Sequence, residues 1–384
     1  MRQYTLYILI FFSMLLGSCV YPYNPELTIH GDDIIVIEGD ILAGEQSIFE
    51  ITYCQDLGEK SEPESVNANL WVESNSGDSY PAIKTIVNSN YIYSVDTKNL
   101  DLNKKYRVHV VPISSQDVYY SNWLSILITP PIDSISYIIQ GDNERMFFNI
   151  STHGDDQNRY YRWSYTEDWE YHSYYFSYLE YNVSTNEITD ILGIKNRYYC
   201  WNDNTSSEIM VANTSSLVEN RLVNQELYSI PRTSLKISYI YSVEISQKAI
   251  TKESYIYWNT LAKNSDEAGG LFSPQPSELR GNIVCTTDTT KVALGYISAS
   301  TVEKQRKYVY NADTRFYRSQ IQCEDAIALP EDMWSLYYMA DYDIVYSEDL
   351  GGSVDVYWAK KRCVDCTVQG GSKNKPSFWP NDHK

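Results

Sequence analysis

The sequence predicts a mainly β protein of tandem immunoglobulin/fibronectin-like antiparallel β-sandwich domains, with one amphipathic helix and a disulfide-stabilised C-terminal segment. Short runs rich in Val, Ile, Thr and Tyr alternate with turn signals through most of the first 250 residues. Their spacing of about 8 to 15 residues is typical of a sandwich and leaves little room for crossover helices. Polar and apolar residues also alternate within the runs, as half-buried strands require.

The chain is predicted to begin with an export signal rather than a membrane span. The apolar run at about residues 6–16 is shorter than the roughly 20 residues that a membrane helix needs. Arg2 precedes the run and Leu-Gly-Ser-Cys ends it, so residues 1–18 are predicted to form a lipoprotein signal peptide with lipid attachment at Cys19. An ordinary secretory signal with a chance cysteine is the alternative. Residues 19–31, which contain two prolines and no periodicity, are predicted to form a tether.

Residues 32–129 are predicted to form the N-terminal β-sandwich. In the run KYRVHVV, the apolar side chains share one face, and Arg107 and His109 lie on the other. Pro130-Pro131 then marks the boundary, because paired prolines resist continuation of a sheet.

Residues 130–310 are predicted to form a second β-sandwich. Eleven of the 22 residues from 160 to 181 are aromatic. Trp163 is expected in the core, as a central-strand Trp is in immunoglobulin-like folds. The later tyrosines have two interpretations, packing or an exposed surface that binds a glycan or peptide, since Tyr offers rigid amphipathic contact area. The candidates for that surface are Tyr174, Tyr175 and Tyr178.

One amphipathic helix is predicted near residues 252–264, within the second domain. Thr251 is placed to cap its first turn. Its expected buried face consists of Tyr255, Trp258, Leu261 and Ala262. Residues 311–384 are poorly patterned and are predicted to be a loop-rich C-terminal segment with one short helix near 331–338.

Composition argues against several functions. The net charge of −19 disfavours nucleic acid as a partner, because phosphate binding needs clustered Lys and Arg. The five histidines lie in no hydrolase or metal motif, and no phosphate-binding or dinucleotide-binding glycine pattern occurs. We therefore expect no catalytic residues, no metal and no cofactor.

Six cysteines remain when Cys19 is set aside, namely Cys54, Cys200, Cys285, Cys323, Cys363 and Cys366. An even number in an exported chain favours disulfides, and six cysteines allow 15 pairings. CVDC resembles a zinc or redox motif, but no second ligand pair accompanies it, so structural disulfides are preferred.

Several segments together resemble one family. They are IVIEGDI, YYRW, the long run from YSVEISQKAITKESYIYW to GGLFSPQPSELRGNI, ALGYISAS, and the tail CVDCTVQGGSKNKPSFWP. In combination they are similar to the domain of unknown function 4249 family of Bacteroidota lipoproteins. The resemblance implies an outer-membrane lipoprotein encoded beside TonB-dependent receptors, and it supplies no catalytic residues. It also implies two disulfides, with pairing open, among Cys200, Cys323, Cys363 and Cys366.

The function expected from the sequence is that of a non-enzymatic, lipid-anchored binding partner of a TonB-dependent transporter in nutrient uptake. The alternative is an adhesive or structural surface lipoprotein that binds polymers, and an unrecognised hydrolase is a third hypothesis. Glu26 is the first acidic residue after Cys19, so the sequence assigns neither the periplasmic nor the surface face of the outer membrane.

Overall fold

The computed structural model describes residues 34–55, 62–140, 145–155, 158–191, 197–267, 279, 281–314, 316, 318–349, 351 and 354–380. The predicted signal peptide, the tether and Cys19 lie outside the described residues. Strands dominate and helices are few, so the prediction of a mainly β protein is confirmed. No helix in the described part of the chain is long and apolar enough to cross a membrane.

The N-terminal sandwich is a single run of hydrogen-bonded strands folded into two layers. In chain order, the strands of this part are β1 (Ile35–Gly39), β2 (Ile41–Leu42), β3 (Gln46–Tyr53), β4 (Ala68–Ser74), β5 (Ser79–Val87), β6 (Asn90–Asp96), β7 (Lys105–Pro112), β8 (Tyr119–Ser121) and β9 (Leu124–Ser125), of which β2 lies outside the run. Strand β5 belongs to both layers, because residues 79–81 pair with β4 and residues 82–87 pair with β6. Pro81 lies where the pairing of β5 changes from β4 to β6, and its missing N–H interrupts the hydrogen bonds between strands there. Val108 and Val110 are buried in the core between the layers, as the alternation in β7 predicted.

The second sandwich has the predicted tryptophan in its core. The strands of this stretch are β10 (Ile132–Gln140), β11 (Arg145–His153), β12 (Tyr160–His172), β13 (Leu179–Asn182), β14 (Glu187–Asp190), β15 (Tyr199–Thr205), β16 (Met210–Asn213), β17 (Arg221–Pro231) and β18 (Ile240–Ala249), of which β13 and β14 form a separate hairpin outside the sandwich. The layer β10-β11-β17 packs on the layer β15-β12-β18. Trp163 is 2% exposed and its Nε1 donates to Oε1 of Gln247 at 2.8 Å, so its polar atom is satisfied as well.

The remaining elements follow β18. They are α1 (Lys252–Glu267), β19 (Ile283–Cys285), β20 (Ala293–Leu294), β21 (Ala299–Ser300), β22 (Glu303–Tyr310), α2 (Asn311–Thr314), β23 (Ile327–Leu329), α3 (Trp334–Met339), β24 (Tyr342–Asp349), β25 (Val354–Lys360) and α4 (Lys361–Val364). In the described residues, 3-10 turns lie at Leu235–Ile237, before β18, and at Glu331–Met333 and Cys366–Gln369, after it. Strand β22 completes the second sandwich beside β18.

Helix α1 begins where predicted, and its buried face agrees with the prediction only at Trp258. The Oγ1 of Thr251 accepts from the amide of Ser254 at 3.2 Å, which caps the first turn. Ser254, Tyr257 and Trp258 are buried, whereas Tyr255 is half-buried. The buried stripe is therefore rotated from the predicted one, because the helix packs in the corner between the two sandwiches and not on a single sheet.

The predicted boundary of the second domain is wrong for residues 281–300. Strand β19 pairs with β8, and β20 and β21 run parallel to β1 and β2, so this segment returns to the N-terminal sandwich. Its apolar side chains would suit either core, and alternation alone does not say which sheet a strand joins. Gly295 permits the return: its φ is +108°, and a Cβ there would lie 2.0 Å from the carbonyl oxygen of Ile37.

We expect Gly295→Ala to lower the free energy of unfolding by about 2–4 kcal/mol, through positive-φ strain together with collision against backbone. Gly77→Ala is the matched control, since Gly77 has φ +96° and a Cβ there would meet nothing within 4 Å. The free energy of unfolding of this control variant should fall by only about 1 kcal/mol. Urea denaturation midpoints measure both variants, and equal losses would contradict the steric explanation.

The C-terminal segment is more regular than predicted. Strands β23, β25 and β24 form a sheet, and the β13–β14 hairpin packs on it through Leu179 and Tyr181. The short helix lies where predicted, as the 3-10 turn Glu331–Met333 followed by α3. The hairpin comes from the middle of the second domain's sequence, so the apolar partner of this sheet is distant along the chain.

Candidate binding surface

The aromatic segment after β12 separates into exposed and anchored rings. Residues 173–178 form no regular element, and Tyr174, Phe176 and Tyr178 are 40%, 52% and 37% exposed. Of the three predicted surface tyrosines, Tyr174 and Tyr178 are therefore exposed. Tyr175 instead turns inward and packs beside Cys363. Its hydroxyl donates to the carbonyl oxygen of Glu324 at 3.0 Å.

Backbone and side-chain hydrogen bonds hold this segment at both ends. The amide of Ser173 donates to the carbonyl of Tyr198 at 3.0 Å, and the Ser173 hydroxyl donates to the carbonyl of Arg197 at 2.7 Å. The amide of Ile191 donates to the carbonyl of Tyr178 at 2.7 Å. The exposed rings are therefore presented by an ordered backbone, which reduces the entropy lost on binding.

Tyr198 extends the surface toward the second sandwich. Its ring meets Phe176 edge-on at 5.3 Å between centroids. Burial, and after it the adjacent Tyr239, raises the pKa of Tyr198 to about 12, so the phenol stays neutral at physiological pH. We call Tyr174, Phe176, Tyr178 and Tyr198 the aromatic patch. Phe176 and Tyr198 were not among the predicted residues.

Two disulfides lie next to the patch. Cys200 is bonded to Cys366 across 166 residues, and Cys323 is bonded to Cys363 across 40. These are the four cysteines for which the family resemblance implied bonding, and CVDC supplies one partner to each bond. Cys54 and Cys285 are free.

The tail after Cys366 lies across the second sandwich. A Cβ at Gly371 would lie 2.8 Å from Cβ of Cys200, so the close approach of the tail to β15 requires glycine there. Further along, Nε1 of Trp379 donates to Oε2 of the fully buried Glu170 at 2.9 Å. The tail is therefore attached to the sandwich at Cys366, Gly371 and Trp379.

Four of the segments that carry the family resemblance meet at the junction between the two sandwiches. The carboxylate of Asp40, before β2, is buried against Lys248 of β18 and lies 3.4 Å from Arg162 of β12. Oδ1 of Asp40 also accepts from the amide of Ser298 at 3.3 Å. The Arg162 guanidinium lies 3.6 Å from the ring centre of Trp258 in α1. One buried ion cluster therefore joins both sandwiches and the helix.

The two cations at this junction stabilise the ionised form of Asp40. Burial by itself raises the pKa of Asp40, but the Lys248 ammonium and the Arg162 guanidinium outweigh it and hold the pKa below its ordinary value. Asp40 is therefore ionised at neutral pH. No three His, Cys, Asp or Glu side chains among the described residues form a group that could hold a metal ion.

The fold and these sites define a class: a multidomain β-sandwich protein with a disulfide-bonded C-terminal sheet and an ordered aromatic surface. Within that class, the chain belongs to the family described as Domain of unknown function (DUF4249), whose family model matches residues 20–306. The family expected from the sequence segments is thus confirmed.

Two solved structures show remote likeness to the chain. No curated protein matches the chain. A DUF4785 family protein from Legionella pneumophila subsp. pneumophila str. Philadelphia 1 is 12% identical, over 55% of this chain and 51% of that one, with a TM-score of 0.18. The chain thus spans about half the length of that structure. The BSP domain of a biofilm associated protein is 8% identical, over 77% of this chain and 63% of that one, with a TM-score of 0.13. Scores this low say nothing about function.

Proposed function

We propose that this chain is a non-enzymatic binding protein, held at the outer membrane by lipid on Cys19, that acts beside a TonB-dependent transporter in nutrient uptake. The Leu-Gly-Ser-Cys sequence that ends at Cys19 supports attachment to the membrane. The resemblance to Bacteroidota lipoproteins supports both the outer-membrane location and the transporter as partner. The observation that carries the binding role is the aromatic patch, because exposed rings on a fixed backbone are the kind of residue that dominates protein interfaces. In this proposal the patch contacts the transporter.

The patch should be required for association with the transporter. We expect a TonB-dependent transporter to copurify with the tagged full-length chain from detergent-solubilised membranes. Replacing Tyr174, Phe176 and Tyr178 together by Ala should reduce the recovered transporter about tenfold, as measured by quantitative mass spectrometry, because loss of interface anchors costs about 2 kcal/mol or more.

Trp123→Ala is the control for removal of an exposed aromatic elsewhere, since Trp123 is 41% exposed on the N-terminal sandwich. It should leave transporter recovery unchanged. Absence of any transporter from the wild-type sample, or full recovery with the patch variant, would overturn the proposal. A deletion strain that grows normally on nutrients but loses attachment would instead favour an adhesive role.

A further inference from the structure

A row of side chains crosses the outer face of the N-terminal sandwich on five neighbouring strands. The register places at one level Val284 of β19, Tyr120 of β8, His109 of β7, Trp71 of β4 and Pro81 of β5. The residues on either side of His109 and of Trp71 point into the core, so the row itself faces outward. Four strand spacings make the row about 19 Å long.

A carboxylate beside the row fixes its side chains. Oε1 of Glu73 accepts from Nε1 of Trp71 at 2.8 Å and lies 2.7 Å from Nδ1 of His109. Oε2 of Glu73 accepts from Nε and Nη2 of Arg107 at 3.0 and 2.9 Å. One carboxylate therefore orients two rings and a guanidinium, which makes the surface rigid before any ligand arrives.

Neighbouring planar groups contact one another across the face, with their ring planes tilted by 53° and 37°. Trp71 and His109 have ring centroids 4.0 Å apart, and His109 and Tyr120 have centroids 4.1 Å apart. The Arg107 guanidinium lies 3.8 Å from the centre of Tyr120 and 4.5 Å from that of Trp123. We call Trp71, His109, Tyr120, Arg107 and Trp123 the stacked stripe. Trp123 ends it and is 41% exposed.

The stripe carries unused hydrogen-bonding groups but little net charge. The charges of Glu73 and Arg107 cancel at contact distance. Two N–H groups of Arg107 bind Glu73, and in the described ranges the other three have no partner. Nε2 of His109 also has no hydrogen-bond partner among the described residues, but it is buried beneath the surface, so the groups open to a ligand are those of Arg107. Burial raises the pKa of Glu73, but the hydrogen bonds from His109, Trp71 and Arg107 prevail and lower it, so the carboxylate stays ionised and holds the stripe together.

We propose that the stacked stripe is a binding site for a neutral polysaccharide. The apolar faces of pyranose rings would pack on Trp123 and Trp71, and sugar hydroxyls would accept from the free N–H groups of Arg107. A polyhydroxylated, uncharged chain suits a surface whose own charges are paired. An acidic polymer would instead face a protein of net charge −19. This proposal does not depend on a transporter.

The test is affinity electrophoresis of the full-length chain in native gels that contain soluble starch, laminarin or xyloglucan, with polygalacturonate as the acidic comparison. We expect retardation by at least one neutral polymer. Trp123→Ala should weaken the apparent Kd for that polymer about fivefold to tenfold, and Trp123→Phe should restore most of the affinity because it keeps a ring at that position.

Phe378→Ala serves as the control, since it removes a ring that is also 41% exposed but lies on the tail, outside both the stripe and the aromatic patch, and it should leave the Kd unchanged. The proposal fails if no neutral polymer retards the wild-type chain, if only polygalacturonate does, or if Trp123→Ala binds as tightly as wild type. Because no transporter is present in the gel, failure here is separable from failure of the copurification experiment.

Discussion

Replacing Asp40 by Ala is expected to lower the free energy of unfolding by about 3–5 kcal/mol, because it leaves Lys248 and Arg162 at the junction without their carboxylate. The side chains of both cations are largely buried, at 13% and 23% exposure, so water replaces the lost partner poorly. The urea denaturation midpoint at neutral pH measures the loss.

The matched control for Asp40 is Glu45→Ala. Glu45 of the N-terminal sandwich pairs with Lys304 of the second sandwich at 2.6 Å, but both side chains are about a third exposed or more. Solvent-exposed pairs contribute at most about 1 kcal/mol, so this variant should unfold almost as wild type does. Comparable losses for the two variants would show that burial of the Asp40 cluster is energetically unimportant.

The Asp40 contribution should also depend on pH. Because the folded-state pKa lies below the ordinary value of 3.8, this stabilisation is fully present above that value and is lost as the pH falls through the folded-state pKa. The difference in midpoint between wild type and Asp40→Asn should therefore be constant from pH 7 to about 5 and narrow at lower pH. A difference that widens on acidification would contradict the assigned sign.

Replacing both Cys200 and Cys366 by Ala should lower the free energy of unfolding by about 2–5 kcal/mol. This loss should be larger than the loss from removing the Cys323–Cys363 disulfide. The first bond closes a segment of 166 residues and the second only 40, so it restricts the unfolded chain more. In the chain-entropy model the two losses differ by about 1 kcal/mol.

Denaturation midpoints of the two double variants, each with and without reductant, test this order. Cys54→Ser is the control, since Cys54 is free and half-buried, and it should change the midpoint little. A larger loss for the 40-residue bond would mean that local packing in the C-terminal sheet, and not restriction of the unfolded chain, determines the stabilisation.

The aromatic surface could be predicted only in part. The tyrosine-rich composition indicates Tyr174, Tyr175 and Tyr178 as candidates, but it does not distinguish the exposed Tyr174 and Tyr178 from Tyr175, which packs beside Cys363. Tyr174, Phe176 and Tyr178 are spaced two apart, as alternating side chains of an extended backbone are, and this spacing could have identified Phe176. Tyr198 had no comparable signal, because only the fold brings it to Phe176.

The stacked stripe could likewise be predicted from the sequence only in part. The alternation of apolar and polar residues in β7 was enough to predict that Arg107 and His109 share one face. Their partners Glu73, Tyr120 and Trp123 come from neighbouring strands and loops, whose register no local pattern specifies.

The sequence by itself determined the local features: the class of fold, the start of α1, the burial of Trp163 and the family. These depend on side-chain periodicity, capping and motifs that act within a few residues. Tertiary structure alone decided that residues 281–300 return to the N-terminal sandwich, and that each cysteine of CVDC bonds a different distant partner. It also decided that Asp40 meets cations 122 and 208 residues away. Such contacts arise when two apolar faces are buried against each other, and alternation shows that a face is apolar without showing which other face will cover it.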